Sequence, residues 1–279
     1  MFYLNKFNQI CSSLRAHGIK FTLESALMKR GLNVYSTVKY PITGIKVKVR
    51  HPNIFCWKDI EMGRYELNCF KFLSNIIKEE QTILDVGAHF GEYALLFSKL
   101  MKDTGQVYSF EPDPISYYIL RDNVNMNSLF NVHIEKLCLS NHFGKSKLRT
   151  KSRFGDPISS IVRFKQEIGL KEILVETTTI DKYCEEKDII PDGIKIDVEG
   201  AEGLVIEGCR NMIKKFSPWI LLEFHSTFMS GKERQKNWDN IIKSAKKVIF
   251  IDGDSNQYHY GSEIKFLPDC SRFHIFIKY

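Results

Sequence analysis

Two segments carry closely spaced titratable residues at what read as strand ends. "GIKIDVEG" holds Asp197 and Glu199, and "WILLEFH" holds Glu223 and His225. In each pair the residues are two positions apart, so in an extended segment both project to one side. If the two strands are neighbours, three carboxylates and an imidazole converge. Those residue types suit the removal of a proton from an alcohol, which is too weak an acid to ionise unaided at neutral pH. His225 is the first candidate for the base and Asp197 the second, with Glu199 and Glu223 completing the group. Like charges there should raise one carboxyl pKa and favour a charged imidazole. A plainer reading has Glu199 and Glu202 capping a helix that begins near Ala201, and Glu223 orienting His225. Asp, Glu and His are also ordinary ligands of divalent cations, so a metal is compatible with the set, but none is expected.

A second group lies upstream, in "ILDVGAHFGEYALLFSKL" (Ile83 to Leu100), where a strand-like apolar run turns into helical spacing across two glycines. The pattern is D-x-G-x-x-x-G, distinct from the G-x-G-x-x-G of dinucleotide binders, which argues against a nicotinamide oxidoreductase. Gly87 can take backbone angles forbidden to other residues, and Gly91 lets a helix start close to the strand, so a ligand can approach bare backbone. Asp85 would repel a pyrophosphate but suits an ammonium or sulfonium. Glu111, about 20 residues beyond the turn, is placed to accept hydrogen bonds from ribose hydroxyls. His89 sits inside the turn, where it either touches the ligand or faces solvent.

The elements that must position these groups alternate. Strands "TILDVG", "QVYSFEP" and "NVHIEKLCLS" are separated by helices over 91–101 and 114–127. Strands "DGIKIDVEG", "PWILLEFH", "KVIFID" and "FHIFIKY" follow, with helices over 201–215 and 232–245. This predicts an α/β fold, a doubly wound and mostly parallel sheet covered on both faces, with the last two strands as an antiparallel edge pair. Residues 1–58 read as an extension, with two short helices in 4–30 and a half-exposed strand at "GIKVKVR". Asp59 to Lys78 reads as one helix leading into the domain 59–279. A polar insertion, 141–180, separates the two series.

At 279 residues and 43% hydrophobic, the chain can fill one such core. No stretch approaches the roughly 18 apolar residues of a membrane span, and the N-terminal segment lacks the apolar core of a signal peptide, so a cytoplasmic location is expected. The seven cysteines are scattered without a C-x-x-C pair and read as free thiols. The net charge of +7 favours anionic partners without implying nucleic acid.

Taken together, "ILDVGAHFGEYALLFSKL", "VYSFEPDP", "CLSNHFG", "TTTIDKYC", "DGIKIDVEGAEGLVIEG" and "PWILLEFH" resemble the S-adenosylmethionine-dependent methyltransferases of the FkbM type, over roughly residues 60 to 225. The resemblance implies the seven-stranded class I methyltransferase fold and O-methylation of a hydroxyl, often on a sugar. It implies that Asp85, Gly87 and Gly91 flank the methionine end of S-adenosylmethionine and that Glu111 holds the ribose, with Ala88, His89 and Pro112 among the cofactor-binding residues. Asp113, Ser140 and Asn141 would lie by the adenine, and Asp197 at the methyl donor. The "GDPISS" turn, with Asp156, Ser159 and Ser160 beside Arg153, would contribute to the acceptor pocket.

Lys145, Lys147, Arg149, Lys151 and Arg153 fall at every second position, so in a strand they form one basic face. That face either protects an exposed sheet edge or meets an anionic acceptor such as a nucleotide sugar or acidic glycan. An RNA methyltransferase and a non-catalytic binder of an adenosine ligand are the competing readings. The first lacks the Pro-Pro-aromatic turn of base-methylating enzymes after Asp197 and a basic, aromatic single-strand platform. The second leaves the acids at 197–225 without work. Oligomeric state is not legible in the sequence.

Overall fold

The computed structural model describes residues 34–41, 43–51, 54–150, 159–162, 171–226, 229–253, 263–268, 270 and 272–279. The chain divides into two compact units, Met1–Leu67 and Asn68–Tyr279. In the first, β1 (Val34–Lys39) pairs antiparallel with β2 (Lys46–His51), and α1 (Ile54–Glu61) follows. The "GIKVKVR" strand is β2, with Val47 and Val49 buried and Lys46 and Lys48 exposed. The helices expected within 4–30 lie outside the described residues. The single helix expected over Asp59 to Lys78 is two, α1 and α2 (Leu67–Ile76). Gly63 at φ +66° and Glu66 at φ +47° take left-handed conformations between them, which no continuous α-helix accommodates.

In the second unit the order is β3 (Thr82–Val86), α3 (Glu92–Leu100), β4 (Gln106–Phe110), α4 (Pro114–Met126), β5 (Val132–Glu135) and β6 (Cys138–Leu139). Next come β7 (Gly144–Thr150), β8 (Lys171–Thr178), α5 (Ile180–Lys187), β9 (Gly193–Ile196), α6 (Glu202–Glu207) and α7 (Arg210–Phe216). The chain closes with β10 (Trp219–His225), α8 (Gly231–Ile242), β11 (Lys247–Gly253) and β12 (Arg272–Lys278). A seven-stranded sheet runs β11-β12-β10-β9-β3-β4-β5. All pairings from β5 to β10 are parallel, and β12 is antiparallel to both β10 and β11.

The predicted doubly wound α/β sheet is therefore present, and its last two strands form the expected antiparallel pair at one edge. The inner strand of that pair is β12. It inserts between β10 and β11, consistent with the unbroken run of buried residues from Phe273 to Ile277, which an edge strand with a solvated face would not carry. Strand order reverses between β3 and β9, so the crevice beyond their carboxyl ends is the topological switch point.

"NVHIEKLCLS" also departs from expectation, because it contributes to two sheets. β5 ends the main sheet, whereas β6 joins β8 and β7 in a separate three-stranded sheet. Within it, Lys145 pairs with Glu176 at 3.4 Å, and Lys147 and Arg149 pair with Glu172 at 3.4 and 2.8 Å. The basic face of β7 thus meets an acidic partner strand, whose carboxylates offset part of its charge. Lys151 lies outside the described residues.

One hydrophobic core cluster of the described residues lies on one face of the large sheet. Leu84, Val86, Ile194, Ile196, Leu222 and Phe224 alternate along β3, β9 and β10 and pack with Val205, Ile206, Trp238 and Phe273. Phe224 meets Trp238 edge-on with ring centroids 5.9 Å apart. Strand alternation then assigns Asp85, Lys195, Glu223 and His225 to the opposite face. Cys69, Cys138, Cys184, Cys209 and Cys270 are buried thiols. Among the described residues, no helix is long and apolar enough to cross a membrane.

Candidate active site

The glycine turn closes on the neighbouring strand end. Gly87 has φ +77°, and a Cβ there would lie 1.8 Å from the Asp197 carbonyl oxygen. Gly91, at φ +95°, begins α3 where a Cβ would press on Leu120 at 2.7 Å. Backbone N–H groups of Gly87 and Ala88 donate to the Phe110 carbonyl, which ties the turn to the end of β4. Just past that end, both Glu111 carboxylate oxygens are braced: His89 N–H donates to one and Asp113 N–H to the other, each at 2.8 Å. Burial pushes the Glu111 carboxyl up to about 7 against the opposing pull of His89 and these hydrogen bonds.

Asp85 is fully buried, and neither side-chain oxygen has a hydrogen-bond partner. Its register partner on β9 is Lys195, whose Nζ lies 3.7 Å from Asp85 Oδ1, donates to the Gly87 carbonyl at 3.1 Å and reaches Asp197 Oδ2 at 3.4 Å. Burial raises the Asp85 carboxyl to about 6, with Lys195 opposing. Lys195 went unnoticed in the sequence reading. Its signal was a lone lysine between Ile194 and Ile196 in a central strand, where a cation needs a built partner.

The acid and imidazole pairs do converge, because β9 and β10 are parallel neighbours. His225 Nδ1 lies 2.9 Å from Glu202 Oε1, and its Nε2 lies 3.6 Å from Glu199 Oε2, 3.6 Å from Glu223 Oε1 and 4.0 Å from Asp197 Oδ1. Burial alone would lower the His225 pKa. The Glu202 hydrogen bond and the charges of Glu202, Glu223 and Glu199 outweigh it and raise it to about 10. Burial also raises Glu199, against His225, while Asp197, burial notwithstanding, is held below the ordinary range by Lys195, His225 and His274.

Two expectations about this cluster need correction. Asp197 and Glu199 meet the imidazole through a turn, not a strand: β9 stops at Ile196, and Glu199 and Gly200 have φ +53° and +99°. The residue hydrogen-bonded to His225 is Glu202, fully buried, and not Glu223, whose oxygens face Arg272 at 3.1 Å and His274 at 3.5 Å. Glu202 also accepts from Gly200 N–H, while the N-cap position of α6 is Ala201, with no side-chain cap.

The match to protein-family models falls on this architecture. Residues 85–249, more than half of the chain, match the model described as the methyltransferase FkbM domain. The chain belongs to this FkbM methyltransferase family. A ribosomal protein L11 methyltransferase from Thermoanaerobacter pseudethanolicus is 31% identical over 107 residues, covering 37% of this chain and 34% of that protein. A second, from Caldanaerobacter subterraneus, is 32% identical over 95 residues, covering 34% and 30%. The chain thus spans about a third of the length of the curated relatives it matches. Among solved structures, the FkbM methyltransferase from Methylobacillus flagellatus superposes with TM-score 0.47 at 17% identity, covering 75% of this chain and 47% of that one.

In this FkbM domain the remaining predicted residues fall in several places. Asp113 caps α4, accepting from Ile115 and Ser116 N–H, so its carboxylate is engaged in the helix start that Pro112 and Pro114 flank. Ser140 N–H donates to the Thr178 carbonyl, and Asn141 Nδ2 donates to Glu207, which fixes that turn beside α6. His89 directs its ring at Glu92, 3.2 Å away, and is stacked on Phe90. Burial would lower its pKa, but the Glu92 charge raises it. Of the acceptor-side residues, Arg153 and Asp156 lie outside the described residues. Ser160 is buried, bridges to Arg149, and brings its hydroxyl to 3.4 Å from the Val198 carbonyl. The insertion therefore reaches the turn that carries Asp197 and Glu199.

Proposed function

We propose that this protein is an S-adenosylmethionine-dependent O-methyltransferase acting on a neutral polyhydroxyl acceptor such as a sugar. The donor supplies an electrophilic methyl group on a sulfonium. The residues present fit such a ligand on two counts: the buried Asp85 carboxylate, whose oxygens make no hydrogen bond although Lys195 lies 3.7 Å away, is an acceptor for its ammonium end, and the Gly87 turn leaves backbone that a Cβ would obstruct. Glu111, already fixed by His89 and Asp113 N–H, accepts from the ribose hydroxyls through its remaining lone pairs.

The observation that carries the acceptor class is the carboxylate cluster beyond the Gly87 turn. Four acids, Asp197, Glu199, Glu202 and Glu223, surround His225, so phosphates are repelled there while hydroxyls find acceptors for their protons. Asp197 and Glu199 keep about a fifth of their side chains exposed, at 21% and 20%, whereas His225 and Glu223 are at 5% and 4%. Both Asp197 oxygens are directed, one at Lys195 and one at His225. Glu199 is thus assigned as the group that takes the hydroxyl proton, and Asp197 as the group that orients the hydroxyl. His225, first choice on sequence grounds, sits behind them and holds the carboxylates in place. Alignment of the acceptor oxygen contributes most of the acceleration and proton removal a smaller factor.

The test is transfer of labelled methyl from S-adenosylmethionine to neutral glycosides, nucleotide sugars, RNA and ribosomal protein. A methyl ether on a neutral glycoside is expected, reduced about 10²-fold in Glu199→Gln with donor binding intact. Label in RNA or protein in preference to any glycoside would overturn the acceptor assignment.

A further inference from the structure

His225 Nε2 belongs to a nearly buried ring and faces Glu199, Glu223 and Asp197 oxygens at 3.6, 3.6 and 4.0 Å. Each distance exceeds hydrogen-bonding reach. One ligand atom from each of Asp197, Glu223 and His225 lies within 4.8 Å of the others. Atoms bound to one hard divalent ion at about 2.0–2.4 Å stand roughly 3–4.8 Å apart, depending on whether they are adjacent or opposite. The spacing is therefore too wide for direct bonds and suited to a shared ion.

The surroundings prepare these three atoms for that use. Glu202 Oε1 engages Nδ1 at 2.9 Å, the carboxylate–imidazole arrangement that fixes a ring and presents Nε2 to a metal. Asp197 Oδ2 is occupied by Lys195 and Glu223 Oε2 by His274, so each carboxylate directs one oxygen inward. Arg272 Nε lies 3.1 Å from that inward Glu223 oxygen, on a side chain 52% exposed, and competes with the ion for it.

We propose that Asp197, Glu223 and His225 form a divalent-cation site at the carboxyl ends of β9 and β10, with Glu202 orienting the imidazole. Two carboxylate oxygens and one imidazole nitrogen suit Mn²⁺ or Mg²⁺, and an octahedral ion would keep about three positions for water or for acceptor hydroxyls. Two adjacent hydroxyls of a polyol would fill two of them and fix which oxygen faces the donor. That last use rests on the hydroxyl-methylation reading, whereas the ion site itself does not.

The experiment titrates chelator-treated full-length protein with Mn²⁺ and follows the electron paramagnetic resonance signal of the free ion, with S-adenosylmethionine binding as the check on folding. One bound equivalent is expected in wild type, weakened at least about tenfold in Glu223→Gln and tightened in Arg272→Ala, where a competing cation is removed. A wild type that binds the donor but no Mn²⁺, or Mn²⁺ affinity unchanged in both variants, overturns the site. Bound Mn²⁺ without methyl transfer to any polyol leaves the site standing and removes the acceptor reading instead.

Discussion

Gly87 is the residue on which the proposed cofactor end depends most directly. In Gly87→Ala the new methyl would collide with the Asp197 carbonyl at 1.8 Å, and the backbone would remain at φ +77°. The turn must shift, so donor binding measured by calorimetry should be lost and the melting temperature should fall. Gly144→Ala provides the contrast: it has open space around it, and only its backbone conformation is strained. Protonation gives a second handle on the same end. The folded pKa values of Asp85 and Glu111, about 6 and about 7, lie above their ordinary values. Charging them therefore opposes folding of the ligand-free protein as pH rises from about 4 to about 7. A ligand that donates to both carboxylates binds the charged forms, so its affinity should fall as pH drops through 7 and then 6. The donor-induced rise in melting temperature should accordingly be larger at pH 8 than at pH 5.5; equal shifts would separate these acids from the ligand. Asp85, Gly87 and Glu111 were legible because strand, turn and acid occur in register along the sequence. The partners of Lys195 and Glu202 were not, since they depend on which strand lies beside which.

At the scale of elements, the alternation of strands and helices was readable because each strand carries its own apolar run. That β12 and not β11 adjoins β10 was not, because the pairing of strands remote in sequence is settled by burial of the whole sheet. The partners of the basic stripe were hidden for a similar reason. Lys145, Lys147 and Arg149 do share a face, but the acids opposite them, Glu172 and Glu176, come from a strand more than twenty residues later. Exposed pairs of this kind contribute little to stability. Lys147→Ala should therefore leave both the melting temperature and the acceptor KM close to wild type. Leu148→Ala, on the opposite side of β7 and packed with Cys138 and Val175, should cost roughly 2–5 kcal/mol in denaturant unfolding. A large rise in acceptor KM for Lys147→Ala with stability unchanged would return this strand to the acceptor site.

Over the whole molecule, 40 basic residues exceed 33 acidic ones, yet the proposed acceptor end of the site gathers Asp197, Glu199, Glu202 and Glu223 around His225. Overall charge and local charge then predict different things for a polyanion. The excess of cations should let the protein bind RNA weakly at low salt, through phosphate contacts that displace counterions and weaken steeply as salt increases. At about 0.15 M salt the screening length is about 8 Å, and such contacts should largely vanish. None of this brings a phosphate backbone to the carboxylates, where repulsion acts at short range in a partly buried site. RNA added to a reaction with a neutral glycoside should therefore not act as a competitive inhibitor against the glycoside, even at 20–50 mM salt where binding is measurable. The glycoside's own kcat/KM should change little between low and physiological salt, because no charged group on it is steered. Competitive inhibition by RNA, together with a steep loss of glycoside turnover as salt is raised, would mean that the basic surface and the acceptor site are one. The carboxylate cluster would then have to be neutralised in the working protein, by protons or by the cation proposed above, for a phosphate to enter.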